Sequence, residues 1–171
     1  MEKISLYFIL FLIYSFLGWL MEVINSLIKE KKFVNRGFLL GPYCPIYGYS
    51  SIIMIFYLDK YKEDILTVFL LAVVVCSIVE YLVSLIMEKL FNARWWDYSN
   101  RRFNINGRVC LIFSLMFGII GLAFAEWIYK PSNKLINKIR QKMPTKFIWL
   151  ILIALFIVLN VDTVFSIIRY I

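Results

Sequence analysis

Residues 36–48 read RGFLLGPYCPIYG and lie between a basic segment and an apolar run, where a membrane protein would ordinarily have plain helix. The stretch concentrates Pro42 and Pro45, Gly37, Gly41 and Gly48, Cys44, and the phenols of Tyr43 and Tyr47. Proline removes a backbone donor and restricts the residue before it, while glycine loosens the chain. Regular helix therefore fails through Gly41-Pro42 and Cys44-Pro45. Inside a bilayer, irregular backbone persists only where protein or a wet cavity satisfies it. Two readings stand: a site built on broken backbone, or a tight turn leading into the second membrane helix.

The surrounding chain makes membrane depth the right frame. Of 171 residues, 62% are hydrophobic and the mean hydropathy is +0.78, values that belong to an integral membrane protein. Five runs are long and apolar enough to span: residues 4–28, 39–58, 65–87, 109–129 and 147–168. The expected fold is all-α, a polytopic membrane helix bundle of about five transmembrane helices with a Pro/Gly-broken start to the second. It forms a single integral membrane domain over residues 1–171. The first run carries 18 uncharged residues before Glu22 and has no small-x-small cleavage pattern, which reads as a span rather than a signal peptide. Residues 132–142 place Leu135, Ile136 and Ile139 at helical spacing among Lys134, Lys138, Arg140 and Lys142. That pattern predicts a basic amphipathic surface helix before the fifth span, started by Pro131 and ended by Pro144.

Charge excludes some classes and leaves orientation open. The net charge is +8, but the bases are spread over several loops without a binding motif, so nucleic acid is not the expected partner. With an odd number of spans, nine bases fall on the N-terminal side and ten on the other. The six bases and no acids of residues 130–146 favour a cytoplasmic N-terminal side. There is no histidine, which removes histidine-dependent serine catalysis and the commonest metal ligand. No P-loop, HExxH, CxxC or GxSxG motif is present, and no cofactor is called for. Three cysteines make no disulfide framework. Cys76 reads as a buried small hydrophobe, and Cys44 and Cys110 fall toward one membrane face, where pairing stays open.

Four acids lie inside apolar runs. At about 1.5 Å per residue, Glu22, Glu80 and Asp162 each fall roughly 22 to 27 Å from the N-terminal side, within a core about 30 Å thick. Glu126 falls at the other face, beside Lys130. Carboxylates at matching depth below a broken backbone mark a functional site, because each is costly in hydrocarbon unless paired or wet. Arg36, Arg94 and Arg108, on the same side, are the expected partners, since guanidinium holds carboxylate through two parallel bonds. Residues 91–107, FNARWWDYSNRRFNING, add Trp95, Trp96 and Tyr98 at an interface, a local turn at Asp97-Tyr98-Ser99 and another at Asn106-Gly107. That stretch reads as an aromatic belt over a polar hairpin or as a cap facing a substrate. The candidate substrate-binding residues are Glu22, Arg36, Tyr47, Glu80, Tyr81, Arg94, Trp96, Asp97, Asn104 and Arg108; a metal role for any of them is left open.

These motifs carry a resemblance. Gly18-Trp19 with Glu22, Asn35-Arg36-Gly37-Phe38 running into Gly41-Pro42 and Cys44-Pro45-Ile46-Tyr47-Gly48, Glu80-Tyr81 with Glu88, and Trp95-Trp96-Asp97-Tyr98-Ser99 followed by Phe103-Asn104 and Gly107-Arg108 together resemble the CmpB-like group of bacterial type IV ABC-transporter permeases. The resemblance covers most of the chain. It implies a permease component in the bacterial plasma membrane working with a separate ATPase.

Three functions are compatible with these residues. The first is a permease-like subunit that binds a polar or charged solute in an acidic, arginine-lined pocket and assembles as a homo-oligomer among membrane lipids. The second is a membrane-embedded enzyme using carboxylates on a lipid or lipid-linked substrate. The third is a structural or regulatory protein whose buried charges specify helix packing.

Overall fold

The computed structural model describes residues 2–35, 37–61 and 64–171, without the side chains of residues 2, 3, 59 and 60. Arg36 lies outside the described residues. The helices are α1 (Glu2–Glu30), α2 (Pro45–Tyr61), α3 (Ile65–Phe91), α4 (Leu111–Ala123), α5 (Lys130–Lys142) and α6 (Thr145–Tyr170). A π-helical turn, Phe124–Tyr129, joins α4 to α5, and β1 (Asn104–Ile105) pairs antiparallel with β2 (Val109–Cys110). Among the described residues, four helical stretches are long and apolar enough to cross a membrane, while α2 is apolar over the shorter length Pro45–Leu58, so the chain is a multi-pass membrane protein.

Local chemistry sets the helix ends. α1 stops among Lys29, Glu30, Lys31 and Lys32, where Lys31 takes a left-handed φ of 52°. Asp64 caps α3, its Oδ1 accepting the amides of Leu66 at 3.1 Å and Thr67 at 3.3 Å. Asn92 ends α3 in the left-handed region, its N–H returning to the Glu88 carbonyl.

Two expected boundaries move. The second helix begins at Pro45, not at residue 39, because Pro42 and Pro45 deny the preceding segment its helical donors. The basic helix is not a separate piece started by Pro131: helical backbone is unbroken from Leu111 to Lys142. The π turn immediately before Pro131 widens the backbone where the proline ring would otherwise press on the preceding turn. Lys130 meets Glu126 there at 2.6 Å.

The chain divides into two compact units, Met1–Gly48 with Ser132–Ile171, and Tyr49–Pro131. In the first, α1 buries Leu10, Phe11, Tyr14, Ser15, Val23 and Ser26, and α6 buries Ile148, Leu152 and Ser166. The rings of Phe8 and Phe156 meet edge to face at 6.1 Å. In the second, α3 and α4 approach closely through small residues. A Cβ on Gly118 would strike the Phe69 ring, one on Gly121 would strike the Ala72 methyl, and Ser77 donates to Ser114 at 2.7 Å.

Candidate functional site

In the first unit, membrane carboxylates hold the irregular segment that precedes α2. Asp162 of α6 accepts the N–H of Leu40 at 3.0 Å and of Gly41 at 2.8 Å, and the Tyr43 hydroxyl at 2.5 Å. Ser166, one turn along α6, donates to the same carboxylate at 3.2 Å. Glu22 of α1 accepts the Tyr47 hydroxyl. Tyr47 reaches it because its ring lies over Gly18, one turn before Glu22, where any Cβ would collide. Asn35 accepts the Trp19 indole N–H at 2.5 Å and donates to the Leu40 carbonyl at 2.8 Å, and the Cys44 N–H donates to the Ser15 carbonyl at 2.9 Å. Beside this frame opens a groove of about 490 Å³ lined mainly by Leu40, Tyr43, Ile157, Val161, Asp162 and Phe165. Asp162 therefore satisfies backbone donors of a segment that the prolines keep out of helix, while Glu22 anchors the first turn of α2 through Tyr47.

In the second unit, the connection after α3 folds as a β-hairpin on the end of that helix. The Arg108 N–H donates to the Ile105 carbonyl at 3.0 Å, and the central Asn106 and Gly107 take positive φ of 52° and 68°. That is the requirement of the tight turn Asn-Gly favours. Asp97 accepts the N–H of Ser99 at 2.8 Å and its hydroxyl at 2.6 Å. These bonds, with Arg94 adding to them, hold the Asp97 carboxyl below the usual carboxylate range. Asn104 donates to the carbonyls of Arg101 at 2.7 Å and Ser99 at 3.3 Å and accepts the Gly107 N–H at 2.9 Å. Trp96 donates its indole N–H to the Arg108 carbonyl at 2.9 Å. Each of these polar side chains shapes the hairpin itself.

The charged centre differs from the expected one. Arg94 and Arg108 do not pair with Glu80; both hold Glu88, Arg94 through Nε at 2.7 Å and Arg108 through Nη2. Glu88 lies eight residues beyond Glu80 on α3, on the same face and nearer the hairpin, so the arginines meet it first. Arg108 also lies over the Tyr81 ring at 5.6 Å, and the Tyr81 hydroxyl accepts from Asn106 at 2.8 Å. Glu80 is 7% exposed, and its Oε1 accepts the Tyr98 hydroxyl at 3.0 Å. The Tyr98 ring is stacked on Phe113 at 4.8 Å. Two buried polar atoms in this unit have no hydrogen-bond partner among the described residues: Glu80 Oε2 and Arg108 Nε.

The candidate residues thus fall into groups. Glu80, Tyr81, Arg94, Trp96, Asp97, Asn104 and Arg108 gather around the end of α3 and its hairpin. Glu22 and Tyr47 pair with each other in the first unit. The sequence reading left out of the set Asp162 with Tyr43, Tyr98, and Glu88; the eight-residue spacing from Glu80 was the available signal for Glu88. None of the three cysteines forms a disulfide among the described residues, so Cys44 and Cys110 do not pair, and both are buried.

Among known proteins, the family model described as "Putative ABC-transporter type IV" matches residues 9–167. No curated protein and no solved structure matches the chain.

Proposed function

The chain belongs to the type IV ABC-transporter family, and from that membership we propose that it is the permease-like subunit of a transporter in the bacterial plasma membrane, binding a small polar or charged solute at the hairpin end of α3. The observation that carries the solute site is the pair of unmet buried atoms. Glu80 Oε2 is an acceptor and Arg108 Nε a donor, and leaving either unmet at low dielectric costs free energy that a ligand recovers. A solute with its own donor and acceptor satisfies both. Tyr81 and Trp96 supply flanking ring surface, Arg94 lies at its exposed rim on Glu88, and Asp97 and Asn104 hold the hairpin in place around it. Glu88 and Asp97 together offset the charge of the two arginines, which favours a solute bearing both polar signs over a phosphate grip.

The ATPase implied by the family contacts the basic helix α5. Lys134, Lys138 and Lys142 recur every four residues on one exposed face. The subunit works as a homo-oligomer, with anionic lipid headgroups around the remaining bases.

Purification from native membranes in mild detergent, followed by ATP hydrolysis measured against a panel of small polar solutes, tests this reading. An ATPase is expected to accompany the chain, and at least one solute to stimulate hydrolysis. Glu80→Gln is expected to abolish stimulation while leaving the complex intact. A complex that hydrolyses ATP identically with and without Glu80 would refute the solute site, and failure to retain any ATPase would refute the transporter reading.

A further inference from the structure

We propose that the face of α6 carrying Ile153, Ile157, Asn160 and Val164 is a self-association surface on which two copies of this chain pair through Asn160. These four positions, spaced four, three and four residues apart, share one side of the helix. Ile153 is 53% exposed, Ile157 and Val164 are each 55% exposed, and Asn160 is exposed with them. At about 1.5 Å per residue, Asn160 stands roughly 22 Å from Thr145 and roughly 15 Å from Tyr170, near the middle of the span.

A carboxamide at that depth has no water to bond. Asn160 Nδ2 donates to the Phe156 carbonyl at 2.7 Å, but its side-chain oxygen accepts no hydrogen bond among the described residues. An acyl chain offers no donor, so lipid leaves this oxygen unmet. A second copy does not. The carboxamide carries donor and acceptor together, so two of them across a two-fold axis satisfy each other. The three β-branched neighbours have few rotamers to lose on packing, and one polar residue in an apolar stripe fixes the register of the pair. No charge interrupts the stripe. This surface names the contact behind the homo-oligomer of the reading above and rests on that part of it. None of its residues belongs to the solute site, so the two stand or fall separately.

The mass of the full chain in lipid nanodiscs or mild detergent, measured across protein concentration, tests the proposal without altering the native cysteines. The wild-type chain is expected to be dimeric, Asn160→Leu to weaken association by about three- to tenfold, and Asn160→Gln to retain most of it. Oxidative cross-linking in membranes gives the geometry. With Cys44, Cys76 and Cys110 replaced, single cysteines at Ile153, Ile157 and Val164 are expected to form covalent dimers, and cysteines at the off-stripe positions Leu155 and Val158 are not. A monomeric wild-type chain overturns both the surface and the homo-oligomer but leaves the solute site untouched. A dimer indifferent to Asn160→Leu overturns this surface alone.

Discussion

The Tyr43 hydroxyl donates to Asp162 at 2.5 Å, a bond between residues 119 apart in the chain. The same carboxylate takes the amides of Leu40 and Gly41, so one side chain of α6 stands in for the turn of helix that Pro42 and Pro45 prevent. Asp162→Ala leaves two backbone donors unmet and is expected to lower stability by on the order of 2–4 kcal/mol, with Asp162→Asn losing less because one acceptor oxygen remains. Thermal unfolding in detergent and hydrogen exchange at Leu40 and Gly41 read this out. Unchanged protection of those two amides in Asp162→Ala would show that the carboxylate is not their anchor.

The contact of α3 with α4 predicts a compensating pair. Gly121→Ala forces a new methyl into the Ala72 methyl and is expected to cost about 1–3 kcal/mol. Ala72→Gly removes the obstacle, so the double variant is expected to recover most of the loss despite the added glycine in a helix. Unfolding of the two single variants and the double variant completes the cycle, and strict additivity would mean that the two residues do not meet.

Glu88 binds two arginines of unequal burial, with side chains 33% exposed for Arg94 and 11% for Arg108. Arg94→Ala is expected to change hairpin exchange little, because exposed pairs are screened by water. Arg108→Ala also removes the cover over Tyr81 and leaves Glu88 without its more buried partner, and it is expected to accelerate exchange of the hairpin amides on the order of tenfold. Equal effects of the two substitutions would contradict this ordering.

Asp97 gives the hairpin an acid limit. Its folded pKa is depressed, so its stabilisation is present above the unfolded value of about 3.9 and is lost as pH falls through the folded value. Protection of the Ser99 amide is expected to hold at pH 5 and to decline in more acidic solution, and Asp97→Asn is expected to remove that pH dependence. A Ser99 amide equally protected in strong acid would separate the hairpin from this carboxylate.

The sequence disclosed depth and breakage more readily than direction. Pro42 and Pro45 announced the irregular segment, and Asn106-Gly107 announced the turn, because each acts through its own backbone. Helical rise placed Glu22, Glu80 and Asp162 in depth but not around the helix axes. It could not foretell that Asp162 would bond Leu40 and Gly41 or that Tyr98 would take Glu80. Arg94 and Arg108 were read as partners for the carboxylates at matching depth, whereas the hairpin delivers them to Glu88, two turns beyond Glu80 along α3. Pro131 misled for a local reason: the signal that proline starts a helix assumes α-helical geometry before it, and the preceding turn is π-helical.

The apolar part of α2, Pro45–Leu58, measures about 21 Å at 1.5 Å per residue, against about 30 Å of hydrocarbon in an ordinary bilayer. The mismatch makes acyl-chain length a variable of this fold. Thin bilayers fit the short helix directly, while thick ones must dimple around it or press apolar chains against the irregular backbone ahead of Pro45.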